Sequence, residues 1–204
     1  MRKIILISIM IASTALAIKR NLNVEVIPKE KQDEVLIRGP VEKGIFGGVV
    51  VKFSEINQEF ACLIGGRGGF IFNHVFAIGG GGYGLANPIT VHTVYPLRDY
   101  TMDYGYGGLI LELVFGSRKL VHFGVNTLIG GGSLCYRTAY YEPWYDDAFF
   151  VLEPSAELTL NITKCFRMDI GGSYRYICGT DLDGVSDRGL SGATGHITFK
   201  FGRF

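Results

Sequence analysis

Residues 150–160 read Phe-Val-Leu-Glu-Pro-Ser-Ala-Glu-Leu-Thr-Leu, and this stretch decides the fold. Phe150, Leu152, Pro154, Ala156, Leu158 and Leu160 alternate with Glu153, Ser155, Glu157 and Thr159. Side chains i and i+2 share a face of a strand, so one face carries no charge and the other carries two carboxylates. The pattern recurs further along, where Phe166, Met168, Ile170, Tyr174 and Tyr176 oppose Arg167, Asp169, Ser173 and Arg175. It recurs upstream too, where Val121, Phe123, Val125, Thr127 and Ile129 oppose His122, Gly124, Asn126 and Gly130. An uncharged face of about ten residues is the reach of a strand that crosses a bilayer.

Working outward, eight such runs are expected, over 45–54, 59–72, 75–86, 103–115, 120–136, 148–160, 165–178 and 192–204. Their connections alternate in length. Asn73-His74, residues 116–119 and residues 161–164 are short links. About sixteen residues from Asn87, eleven from Arg137 and a dozen from Gly179 form long ones, while the first link, near Asn57, is short. Short turns alternating with longer loops suit an all-β, eight-stranded antiparallel up-and-down transmembrane β-barrel with its turns in the periplasm. The tyrosines Tyr83, Tyr104, Tyr106, Tyr136, Tyr174 and Tyr176 fall at the loop ends of strands, and Phe70, Phe72, Phe76, Phe115 and Phe166 near the short turns. Both groups are expected at membrane interfaces, as rims of amphipathic and aromatic rings.

Composition agrees. The chain has 204 residues, 48% hydrophobic and 19% charged, which excludes compositional disorder. Its net charge of +1 shows no preference for nucleic acid. Twenty-nine glycines argue against a helical protein, since each costs a helix about 1 kcal/mol. Arg2 and Lys3, the apolar run from Ile4 and the small-x-small site Ala15-Leu16-Ala17 read as a signal peptide over 1–17. Residues 18–43 hold eleven charged residues and are expected to be a largely unstructured periplasmic lead-in to the barrel, 44–204. Cys62, Cys135, Cys165 and Cys178 match no zinc spacing and are expected to be small buried apolar residues.

The signal peptide, the eight alternating strands, the loop asymmetry and the final strand, His196 to Phe204, together resemble the small outer-membrane β-barrel proteins of Gram-negative bacteria. GGRGG (65–69) and GGGGYG (79–84) resemble such barrels as well. The resemblance implies location in the outer membrane, contact with outer-membrane lipid, and delivery by the barrel assembly machinery, which reads a C-terminal aromatic such as Phe204. Ile197, Phe199 and Phe201 form the apolar face of the last strand, and Phe204 falls on the other; a bulge at Gly202 would return it to the outside.

Enzymatic motifs are sparse. Gly79, Gly81 and Gly84 match G-x-G-x-x-G, but Asn87-Pro88 stands where a phosphate-cradling helix would begin, so barrel curvature explains the glycines better. His74, His92, His122 and His196 show no ligand spacing, and no cofactor or metal is expected. Asp181, Asp183, Gly184 and Asp187 lack the bidentate glutamate of a calcium loop.

The charges assigned to the lumen are Lys52, Arg67, Arg167, Arg175 and Lys200 with Glu112, Glu153, Glu157 and Asp169. An eight-strand barrel has room inside only for side chains, and buried charges need partners, so a sealed, paired network is expected. Glu153 and Glu157 share a strand face as acid and base would, but abundant arginine would keep them alike where catalysis needs them unlike. In the third long loop, Tyr140, Tyr141, Trp144 and Tyr145 could contact an extracellular sugar or protein ligand or continue the aromatic belt. Three functions follow. The first is a non-enzymatic envelope or surface-interaction barrel, porin-like in build with a closed lumen. The others are an outer-leaflet lipid-modifying barrel enzyme and a soluble lipocalin-like barrel with its faces reversed.

Overall fold

The computed structural model describes residues 41–91, 100–137, 146–181 and 184–204. The signal peptide, all but the end of the lead-in, His92, Asp183 and the loop aromatics Tyr140, Tyr141, Trp144 and Tyr145 lie outside the described residues. The strands are β1 (Lys43–Ile56), β2 (Glu59–Phe72), β3 (Phe76–Leu85), β4 (Ile89–Val91), β5 (Tyr100–Phe115), β6 (Val121–Arg137), β7 (Asp146–Asn161), β8 (Phe166–Cys178) and β9 (Gly192–Arg203). A four-residue helix, α1 (Asp187–Leu190), precedes β9.

Every pairing is antiparallel. The order β3-β2-β1-β9-β8-β7-β6-β5 closes on itself through β3–β5, and β4 extends the line of β3 along β5. Nine strands therefore make an eight-stave barrel. The break between β3 and β4 falls at Pro88, which has no N–H for the ladder. Asn87 fills in: the Cys62 N–H donates to its Oδ1 at 2.6 Å, and its Nδ2 donates to the Phe60 carbonyl at 2.9 Å. A second lapse lies at Pro154, where β7–β8 pairing skips from Leu152↔Tyr176 to Ser155↔Ser173.

Two hairpins turn tightly: Asn57-Gln58 joins β1 to β2, and Asn73-His74-Val75 joins β2 to β3. Asn57, Gln58, Asn73 and His74 all have positive φ, between 49° and 67°, as the primed turns that match strand twist require. Glycine allows the strands to approach on the inner face. A Cβ on Gly69 would lie 2.6 Å from the Gly79 Cα, and one on Gly108 would lie 2.7 Å from the Gly130 Cα.

The strand alternation sorts side chains as read from sequence, with Leu158, Ile170 and Phe123 outward and Glu153, Glu157, Asp169 and Asn126 inward. Three expectations are corrected. The cysteines are not core residues: Cys165 is exposed and the others are half-buried, because Cys62, Cys135 and Cys178 fall on outward phases of their strands. Tyr83, Tyr104, Tyr106 and Tyr136 point into the barrel, each less than 9% exposed, while Tyr174 and Tyr176 face outward. The first four share the phase of the inward charges, so period 2 overrides their position near a rim. Finally, β9 has no bulge. Its register runs unbroken through Gly202 to Arg203 against β1 and as far as Phe201 against β8, so Phe204 turns inward and stacks on Phe46, ring centroids 6.3 Å apart.

Candidate functional site

Inward residues divide the interior into three tiers. Nearest the short turns, Phe46, Ile71, Ala77 and Val114 pack with Phe204 into an apolar plug. The middle tier is ionic. Nearest the loops, a larger cluster includes Ile56, Leu63, Ile89, Met102, Leu134, Phe149, Val151, Ile177 and the inward tyrosines, closed from above by Val185 and Leu190.

Glu157 on β7 is the hub of the middle tier. Arg67 reaches it from β2, with Nη2 donating to its two oxygens at 2.8 and 2.9 Å and to Asp169 Oδ2 at 2.7 Å. Lys200 Nζ from β9 lies 3.2 Å from Glu157, 2.9 Å from Asp169 and 2.9 Å from Glu112. Asn126 Nδ2 donates to Glu157 at 3.1 Å, and His196 Nε2 lies 3.4 Å away. Five strands thus contribute charges to one cluster. A second group lies towards the loops, where Lys52 Nζ contacts both oxygens of Glu153, at 2.8 and 2.9 Å, and stands 3.6 Å from the centre of the Tyr83 ring. Tyr106 Oη and Ser173 Oγ also donate to Glu153.

Two arginines depart from the paired network expected of them. Arg175 is fully buried but meets no carboxylate among the described residues. Its Nε donates to the Leu190 carbonyl at 2.8 Å, and Nη2 reaches Ser54 Oγ and the Glu55 carbonyl at 3.3 Å. It stands one tier above the carboxylates, with Glu153 already taken by Lys52. Arg167 is half-buried at the turn end and makes no ion pair among the described residues; its guanidinium lies 3.8 Å over the Phe204 ring. Phe204, expected as an exposed assembly signal, is thereby held between Phe46 and Arg167. Sequence reasoning put Asn126 and Ser173 on the polar faces of their strands but left His196 and the inward tyrosines out of this interior, although the even spacing of His196 from Lys200, of Tyr104 and Tyr106 from Glu112 and of Tyr136 from Asn126 carried the signal.

The buried charges balance at four cations, Lys52, Arg67, Arg175 and Lys200, against four carboxylates, Glu112, Glu153, Glu157 and Asp169. Space between them is small: a cavity bounded by Phe46, Arg67, Gly68, Ala77, Gly79, Ile110 and Glu112 holds about 10 Å³, one water at most. No group of three or more metal-ligating side chains occurs among the described residues. Outside the membrane-spanning strands, Ser186 caps α1, and Asp187 accepts from the backbone N–H groups of Thr180 and Gly179, which hold its carboxyl below the usual aspartate value.

The outer surface is the chemical opposite. Phe70, Phe115, Leu120, Val121, Leu158, Ile170, Phe201 and Ile45 are all more than half exposed. With charges inside and apolar side chains outside, the faces run opposite to those of a soluble ligand-binding barrel.

No protein-family model matches the sequence, and no curated protein matches it. Solved structures do. The N-terminal β-barrel domain of OprF from Pseudomonas aeruginosa is 12% identical, with a TM-score of 0.52 over 80% of this chain and 99% of that domain. Neisserial surface protein A is 10% identical, with a TM-score of 0.53 over 81% of this chain and 99% of its own. The fold is that of the small eight-stranded outer-membrane β-barrels.

Proposed function

We propose that this chain is an integral outer-membrane β-barrel of a Gram-negative bacterium with a closed, charge-paired lumen, serving envelope structure or surface interaction rather than catalysis. The observation that carries the reading is the inversion of faces: an apolar outer band around an interior of four cations and four carboxylates. Lipid supplies the solvent that such an outer surface requires, and a barrel leaves no strand edge unpaired in it. Apolar clusters above and below the ionic tier support a plug rather than a pore.

Two measurements test this. Refolded protein in planar bilayers is expected to show no steady conductance; stable channels would replace the closed lumen with a small pore. Membranes of expressing cells should retain the protein through carbonate extraction, and it should migrate differently on gels when unheated. Release into the soluble fraction would defeat the membrane reading itself.

A further inference from the structure

The turn end of the barrel is a laced ring. The Asn73 N–H donates to the Glu42 carbonyl and the Glu42 N–H to Asn73 Oδ1, tying the β2–β3 turn to the start of β1. The Val114 N–H donates to the Val75 carbonyl, joining that turn to β5. Asn161 Nδ2 donates to the carbonyls of Ser117 and Lys119 at 2.9 and 2.6 Å, tying the β5–β6 turn to the end of β7. The Gly202 N–H donates to the Cys165 carbonyl at 3.0 Å, tying the β7–β8 turn to β9.

This ring carries Lys43, Arg118, Lys119, Lys164 and Arg203, all exposed. Among the described residues its one exposed acid, Glu42, faces His74 at 2.8 Å. The opposite end has the reverse sign: among the described residues, Glu55, Glu59, Asp103, Asp146, Asp147, Asp181 and Asp187 stand against Arg137 and Arg188. The cations also border the outer apolar band directly. Lys43 pairs with Phe72, Arg203 with Ile45, and Lys119 precedes Leu120, which is 69% exposed. Basic side chains at that depth lie level with lipid phosphates.

We infer that this basic ring binds the headgroups of anionic phospholipids in the leaflet that faces the turns. The inference rests on the membrane-spanning reading above. It adds a lipid preference and an orientation: five cations held on hydrogen-bonded turns and strand ends favour phosphate on one side of the bilayer, and the acidic loop end disfavours it on the other. A wall glycan would also meet this side, but cations set flush with the apolar band, on short turns, suit headgroups better than a distant polymer.

The test uses the full chain refolded into vesicles of phosphatidylcholine alone and of phosphatidylcholine mixed with phosphatidylglycerol. Insertion is read by protease protection, and bound lipid by native mass spectrometry of the extracted protein. The unaltered protein is expected to insert into both and to retain phosphatidylglycerol in preference, less so as salt is raised. Arg118→Gln combined with Lys119→Gln and Lys164→Gln should insert equally into phosphatidylcholine and lose at least about tenfold of that preference, each basic residue contributing about fivefold. A Glu55→Gln, Glu59→Gln control should keep it. A salt-independent preference, an undiminished one in the triple variant, or binding to purified cell-wall glycan without lipid enrichment would overturn the inference. Failure of the unaltered protein to insert into either vesicle would overturn the membrane reading beneath it.

Discussion

Glu157 and Glu153 lie four residues apart on the same face of β7, yet they occupy different electrostatic settings. Glu157 is shared by Arg67 and Lys200, with Asn126 and His196 beside it, in a cluster where Asp169 and Glu112 also serve those cations. Glu153 has one cation, Lys52, backed by Tyr106, Ser173 and the Tyr83 ring. The first is a network in which two cations are shared among three carboxylates. The second is a pair supported by neutral groups. Removing one member should cost most where it leaves a buried charge with no opposite partner.

The largest effect is therefore expected for Glu153→Ala. It leaves Lys52 buried with no carboxylate among the described residues, only the Tyr83 and Tyr106 rings, and unfolding measured by urea titration of gel-shift migration should show a loss of about 3–5 kcal/mol. A loss of about 1 kcal/mol or less would mean that water screens the interior. Glu157→Ala should cost less, about 1–3 kcal/mol, because Arg67 keeps Asp169 and Lys200 keeps Asp169 and Glu112. If it proves as damaging as Glu153→Ala, the distinction between network and pair fails.

Arg175→Met sharpens the comparison from the other side. This arginine has carbonyl and hydroxyl partners and no carboxylate among the described residues, so its removal strands no opposite charge and should cost about 1 kcal/mol. Its readout is local: faster hydrogen exchange at the α1 amides of Gly189 and Leu190, with the ionic cluster unaffected. A loss matching Glu153→Ala would show that its removal does strand an opposite charge.

The smallest effect concerns the loop end and pH. Asp187 accepts from the Thr180 and Gly179 N–H groups, and its native pKa is lowered from 3.8. The ionised form is thus favoured in the folded state. The tether is complete above 3.8 and is lost as pH falls through the lowered native value. Exchange of the Thr180 and Gly179 amides should quicken in that range, and Asp187→Asn should remove the pH dependence.

Much of the barrel was legible in the chain because a strand in a closed barrel has one neighbour on each side and one decision per residue, in or out. Lys52, Arg67, Glu112, Glu153, Glu157, Asp169, Arg175 and Lys200 could all be assigned to the interior from phase alone. The same rule, applied to Tyr83, Tyr104, Tyr106 and Tyr136, would have turned them inward; reading them by nearness to a rim put them on the wrong face. The cysteines were misread for a similar reason, since size and polarity were allowed to outweigh phase.

Alternation along each strand, and the lengths of the links between strands, are local properties, and they determined the eight staves, their order and the sorting of charge from apolar surface. Pairing across the lumen is not local. Arg67 meets Glu157 across 90 residues of sequence, and Lys200 meets Glu112 across 88, because stagger and closure set which inward residues share a height. Only the closed barrel decided that Glu157 would be the shared hub, that Arg175 would bind carbonyls beneath α1, and that an unbroken β9 would turn Phe204 into the plug. The ionic contacts of Arg67 with Glu157 and of Lys200 with Glu112 depend on the distance between strands that are not neighbours in the sheet.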